Sequence, residues 1–329
     1  MKQRPFLILA AILLFAPYRS PWSLVLGPWC APGTKDQEPG TNPRRGPYLG
    51  EAPPGDTPIV FGRDIVSTFR CEHGALAISP DARELAWAVF DRPALREWIL
   101  FSRQDRDGAW TTPASPTFTD GRYRDGDPSF SRDGKSLHFL SNRPAEFGPA
   151  RGPDGMWLWS AEKDASGWTG PRRMRGPLET LVALAPPTFA RDGSFYTVAD
   201  TGRGGLDIQH VRRNVLGYLP PTRLEAPMNS AQMEEGVFIS SDDTLLLFAS
   251  NRPGGSGGLD LYVGFRSADG GWTAPVNLGP RINSAVHDRS PSLSPDGRYL
   301  FFLRGQGENY DYYWVDARIL SGLRQNGRS

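Results

Sequence analysis

Apolar residues along this 329-residue chain come in short runs separated by Gly, Pro, Asp and Ser, a pattern that predicts many short strands and few long helices. One turn sets the order: SPDA at 79–82, SRDG at 131–134, ARDG at 190–193, SSDD at 240–243 and SPDG at 294–297. Its aspartates (Asp81, Asp133, Asp192, Asp242 and Asp296) are 52, 59, 50 and 54 residues apart. Each turn follows a short run (ALAIS, PSFS, PTFA, VFIS, PSLS) and precedes an apolar, often aromatic one (ELAWAVF, SLHFLS, SFYTVA, TLLLFAS, YLFFLR). That is strand, tight turn, strand: aspartate bonds its own backbone and glycine accepts a positive φ, so the chain reverses.

A third run follows in every unit: EWILFSR, MWLWSAE, LDIQHVR, LDLYVGF and YDYYWVD. Four units then carry a second turn, at Trp110–Pro113, Trp168–Pro171, Tyr218–Pro221 and Trp272–Pro275, announcing a fourth strand. Beginning at proline, that strand suits a sheet edge. The fifth unit lacks it, and residues 57–68, TPIVFGRDIVST, echo residues 274–285, APVNLGPRINSA. Radial repetition of four-stranded antiparallel units predicts an all-β five-bladed β-propeller. Residues 57–68 supply its closing strand. The blades are expected at about 69–120, 121–182, 183–231, 232–285, and 286–320 plus 57–68; six blades are the alternative. PAEFGPARGPDG, 144–155, reads as an inserted loop in the second unit.

Glycine (37), proline (31) and 37 aromatic residues fit this picture. With 37 basic against 36 acidic residues, the net charge of +1 provides no field to attract nucleic acid. Lys2 and Arg4 precede an apolar run from Phe6 to Ala16, too short to span a bilayer but suited to a secretory signal. Residues 1–30 are therefore expected to be a signal peptide or N-terminal anchor, 31–56 a linker, 57–320 the propeller and 321–329 a tail. The expected location is the periplasm or cell envelope. Cys30 and Cys71, the two cysteines, can pair in an exported chain; lipidation of Cys30 is the rival reading, although Gly27-Pro28-Trp29 departs from a lipobox.

Segments such as HDRSPSLSPDGRYLFFLR, EEGVFISSDDTLLLFASNRPGGSGGLDLYVGF and GGWTAPVNLGPRINSA resemble the TolB-like, WD40-like (PD40) repeat of bacterial exported propellers over residues 57–320. The resemblance implies fold. It leaves function open, because such propellers serve as binding platforms, enzyme lids and polysaccharide-active enzymes.

Eight positions upstream of the turn aspartates lie His73, Asp125, Leu184, Glu234 and Asp288, a candidate ring at the channel. Such a cluster can hold a cation, bind a basic peptide or divide acid and base roles; the plainer reading is that it satisfies strand ends. A second ring, Arg92, Arg143, Arg203, Arg252 and Arg304, follows the second strands. Its expected partners are acids near the start of the third strands (Glu97, Asp207, Asp260, Asp311), with an anionic ligand as the functional option. GGSGG at 254–258 fits G-x-S-x-G, but strand follows it where a nucleophile elbow needs a helix. The resemblance extends to oligogalacturonate lyases, which hold a metal with several histidines. Of the four histidines here, His73 and His287 are expected near the channel, and His138 and His210 as satisfied strand residues. Trp110, Trp168 and Trp272 occupy one slot of the repeat, which points to packing rather than sugar stacking.

The reading is a non-catalytic, monomeric platform for an envelope protein, peptide or glycan, with no cofactor beyond a divalent cation as an option in the channel. The alternative is a polysaccharide-active lyase or glycosidase using His73, Asp125, Glu234 and Asp288.

Overall fold

The computed structural model describes residues 44–326 except 69, 92–93, 120, 145–155, 166, 182, 202–204 and 308. The expected signal, Cys30, Arg92, Arg203 and nearly all of the inserted loop lie outside the described residues.

The chain forms a five-bladed propeller of antiparallel blades. The first blade holds Glu72–Ile78, Glu84–Asp91 and Arg96–Arg103, with a single Phe101–Ala114 bridge in the fourth position. The second holds Asp125–Phe130, Ser136–Ser141, Trp157–Asp164 and Arg172–Arg173. Thr188–Phe189, Phe195–Asp200, Leu206–Val211 and Thr222–Arg223 make the third. The fourth is Glu234–Ile239, Leu245–Ser250, Asp260–Phe265 and Val276–Asn277. His287–Leu293, Tyr299–Gln306 and Asn309–Asp316 belong to the fifth, whose outer strand is Ile59–Val60.

The repeated turn works as its composition predicts. Ser79 Oγ donates to Asp81 (2.6 Å) and accepts from the Glu84 amide (2.9 Å), while Asp81 also accepts from the Arg83 amide (3.1 Å). Ser131/Asp133, Ser240/Asp242 and Ser294/Asp296 repeat the arrangement. Packing between blades is apolar: Trp87, Tyr312 and Trp314 are fully enclosed between the first and fifth blades, and Phe139 with Trp159 between the first and second.

Closure is short. Ile59 and Val60 pair with Trp314 and Tyr313, and the Phe61 amide donates to the Tyr312 carbonyl (2.8 Å). Phe61 is buried against Phe301 and Trp314, with ring centroids 5.0 and 5.1 Å away. Beyond Gly62 the chain turns and leaves the ladder, so only the first part of the segment 57–68 is strand.

Two segments depart from the sequence reading. Residues 44–50, expected as linker, lie on the ring: the Arg44 and Gly46 carbonyls accept from the Trp110 amide and Nε1 (both 2.8 Å), and Tyr48 and Leu49 are buried beside Tyr299 and Trp314. Arg318–Asn326 is a helix that crosses the expected boundary between propeller and tail at residue 320, and its Leu320 is buried in the core shared by the fourth and fifth blades. Cys71 is disulfide-bonded, and the chain's other cysteine, Cys30, lies outside the described residues.

Candidate functional site

The two predicted rings meet each other. Arg143 grips Asp125 with two nitrogens (3.0 and 2.6 Å), Arg304 Nε donates to Asp288 (2.7 Å), and Arg252 donates to Glu234 (3.1 Å). Each of these three arginines therefore reaches the acid at or next to the start of its own blade's first strand, not the third-strand acids. Each also donates to a carbonyl in the loop entering the blade: Phe118, Met228 or Ile282. The third-strand acids have other work. Asp207 pairs with Arg223 (2.6 Å), and Asp260 accepts from the Ser256 and Gly257 amides (2.7 and 3.0 Å), which folds GGSGG into a loop around a carboxylate.

The same acids hold the loop before them. Ser284 donates its amide and hydroxyl to Asp288 (2.6 and 2.8 Å), and Ser230 does the same to Glu234 (3.1 and 2.6 Å). The preceding residue clamps the previous blade. Asn283 accepts from the Leu261 amide (2.8 Å) and donates to its carbonyl (3.1 Å); Asn229 does so at Ile208 (2.7 and 2.9 Å). Asparagine, serine, acid and arginine thus form one interblade latch. The repeated Asn-Ser-Ala at 229–231 and 283–285 was its sequence signal.

At the ring closure Ser67 takes the asparagine's place, donating to the Tyr312 carbonyl (3.3 Å) and accepting its amide (2.8 Å). Thr68 takes the serine's place on Glu72, with amide and hydroxyl at 2.9 and 2.6 Å. Glu72, not His73, is therefore the first blade's counterpart of Asp125, Glu234 and Asp288. Counting back from Asp81 misses it because the first blade's bulge holds one more residue: His73 and Ala77 pair with Ala88 and Ala86, whereas Glu235 and Phe238 pair with Ala249 and Leu247. Burial pushes the Glu72 carboxyl up to about 8, and burial also raises Asp288 despite the opposing pull of Arg304.

His73 instead joins a separate cluster at the channel mouth where the first strands begin. Its Nδ1 lies 2.9 Å from Glu97, whose other oxygen accepts from Arg124 (3.1 Å). Asp127, from the second blade's bulge, faces both, and Arg289 pairs with Glu235 close by (2.8 Å). Burial opposes the His73 imidazolium, but the Glu97 carboxylate outweighs it and the pKa rises. Burial likewise opposes the Glu97 charge; His73 and Arg124 prevail and lower its pKa. Asp127 is raised to about 6, chiefly by burial and then by the neighbouring Glu97 charge, against the pull of His73. One nitrogen of His73 and one oxygen each of Glu97 and Asp127 lie within 4.8 Å of one another, a spacing a metal ion could bridge. The adjoining space, lined by Glu72, His73, Phe90, Arg289 and Tyr310, is about 10 Å³, room for an ion or a water and not for a sugar ring.

The opposite mouth is wide. A cavity of about 420 Å³ is lined by the C-terminal ends of all five first strands. The residue ahead of each turn is apolar: Ile78, Phe130, Phe189 and Leu293 are half-buried, and Ile239 is buried. Proline adds to the wall at 80, 128, 187, 291 and 295.

The remaining candidates are structural. Trp110 is buried, Trp168 packs near Phe130 of its own blade and Phe101 of the first blade (ring centroids 6.1 and 6.0 Å), and Trp272 lies under Arg266 at 3.9 Å. His210 stacks on Tyr196 and meets Ser194 Oγ at 3.1 Å. His138 differs from the expectation of a satisfied histidine: its Nδ1 is buried without a hydrogen-bond partner among the described residues, and burial lowers its pKa to about 4.

No family profile matches the chain, and no curated protein matches it. Among solved structures it is similar to an endo-arabinase from Bacteroides thetaiotaomicron, at 11% identity and TM-score 0.49, covering 76% of this chain and 95% of that one. It is similar to Kuenenia stuttgartiensis hydrazine synthase at 13% and 0.45, covering 74% of this chain and 37% of that one. An intramolecular trans-sialidase from Ruminococcus gnavus follows at 15% and 0.38, covering 69% and 52%. At these identities and scores the likenesses carry nothing about activity.

Proposed function

We propose that the protein is an exported, TolB-like, non-catalytic binding platform whose ligand is a polypeptide segment held in the wide mouth of the channel. The observation that carries the reading is the fivefold apolar ring of Ile78, Phe130, Phe189, Ile239 and Leu293 around a cavity of about 420 Å³. A concave, mostly apolar site with backbone and serine groups at its wall suits an apolar side chain on an extended chain. A sugar would leave its hydroxyls facing carbon. The carboxylates expected to do chemistry, Asp125, Glu234 and Asp288, are held by arginines, which supports binding over catalysis.

Selection of displayed random peptides on the full chain tests this. Recovered peptides should share an apolar anchor, lose binding on Leu293→Arg at the cavity wall and keep it on Leu216→Arg, a 93% exposed position elsewhere. Peptides insensitive to Leu293→Arg, or turnover of uronate or sialylated glycans by the unmodified protein, would overturn the reading.

A further inference from the structure

At the narrow mouth of the channel we propose a binding site for one divalent cation of the zinc type, with His73, Glu97 and Asp127 as ligands. It is independent of polypeptide binding at the opposite mouth.

The donor set comes first. An imidazole nitrogen and two carboxylate oxygens converge within 4.8 Å, a set that suits zinc and its first-row neighbours better than calcium or magnesium, which favour oxygen alone.

The second observation is independent of that convergence. Asp127 as a residue is 7% exposed and forms no hydrogen bond or ion pair among the described residues, yet its carboxylate lies within 4.8 Å of the His73 and Glu97 donor atoms. Buried carboxylates ordinarily find donors, so an unpartnered one calls for a positive partner. Its backbone sits at φ 49, the left-handed conformation that the bulges of the first, fourth and fifth blades repeat at Gly74 (φ 70), Gly236 (φ 54) and Ser290 (φ 51), so the fold itself aims this side chain.

The backbone also makes room for both carboxylates. A Cβ at Gly74, itself at φ +70, would lie 1.9 Å from an Asp127 oxygen, and one at Gly126 would lie 2.0 Å from a Glu97 oxygen. Two glycines in the facing bulges of neighbouring blades are thus spaces occupied by the proposed ligands. The cation would tie the first blade, through His73 and Glu97, to the second, through Asp127.

The surrounding charges allow it. Arg124 engages the Glu97 oxygen turned away from His73, and Arg289 is neutralised by Glu235.

The test uses the untagged full chain, stripped with a chelator and titrated calorimetrically with ZnCl₂, with CaCl₂ and MgCl₂ as contrasts. Expected is about one Zn²⁺ per chain, weakened at least about tenfold by Asp127→Asn and by His73→Gln separately, since losing a ligand costs no less than losing its support. Asp127→Asn keeps the shape and removes a buried charge; His73→Gln gives the second, separate measurement, and circular dichroism checks both folds. His287→Gln, which alters another histidine near this mouth whose buried Nδ1 has no hydrogen-bond partner among the described residues, should bind as the unmodified chain does. No Zn²⁺ binding to folded chain, binding undiminished in folded Asp127→Asn or His73→Gln, or loss on His287→Gln would overturn the site.

Discussion

Replacing Arg304 with leucine isolates one latch. Asp288 is wholly buried, and without the guanidinium it would face only the Ser284 amide and hydroxyl, with the Ile282 carbonyl also losing a donor. Removing one partner of a buried ion pair costs about 3–5 kcal/mol. The arginine side chain is 18% exposed and two serine donors remain, which places the loss near the lower end, about 3 kcal/mol. Asp288→Asn combined with Arg304→Leu removes the orphaned charge, so the double variant should be more stable than the sum of the single losses by about 1–3 kcal/mol. Urea unfolding followed by tryptophan fluorescence reads this as a shift of midpoint at constant slope. Arg304→Leu within about 0.5 kcal/mol of the unmodified chain, or a strictly additive cycle, would refute the latch and return Asp288 to the pool of residues free for chemistry.

Asn283→Ala orphans the buried Leu261 amide while Leu278 still serves the Leu261 carbonyl; a loss of about 2–3 kcal/mol by urea unfolding is expected. Leu49→Ala should cost about 2–4 kcal/mol by the same assay if the segment 44–50 belongs to the fold, and almost nothing if it is a linker. Glu72 titrates near 8 when folded against about 4.3 unfolded, so its contribution is fullest below the unfolded value and is lost as pH rises through 8. Glu72→Gln should therefore gain thermal stability relative to the unmodified chain between pH 5 and pH 8; an unchanged difference across that range would contradict the burial assigned to this carboxyl.

The repeat was legible because its turn chemistry is local. Ser79 and Asp81, like Ser240 and Asp242, satisfy groups within five residues, and no distant contact alters what those residues do. The echo at 57–68 was legible for a related reason, as one outer strand resembles another. What failed was register. An extra bulge residue moved His73 out of the acid ring and Glu72 into it, and nothing in a spacing count shows a bulge. Arginine partners were misassigned because in the fourth and fifth blades two acids lie within plausible reach, Glu234 and Asp260 or Asp288 and Asp311, and the choice depends on carbonyls of the entering loop such as Met228 and Ile282. The Asp127 cluster was missed since its members come from a first strand, a third strand and the next blade's bulge. Tyr48 and Leu49 are two apolar residues amid Gly, Pro and Arg, too few to outweigh the composition around them.

The pairing of Ile59 with Trp314 also orders events in time. A chain that emerges N-terminus first holds that short strand without its partner until 255 further residues have followed. Closing a loop of such length is entropically unfavourable, and contacts so distant in sequence slow folding. The first four blades can form while the ring is open, leaving Phe61 and the inner faces of the first and fifth blades as the last surfaces to leave water. Until then the unfinished ring displays the edge of Asn309–Asp316, a strand bearing Tyr312, Tyr313 and Trp314, and that interval is when it is most exposed to pairing with a second chain.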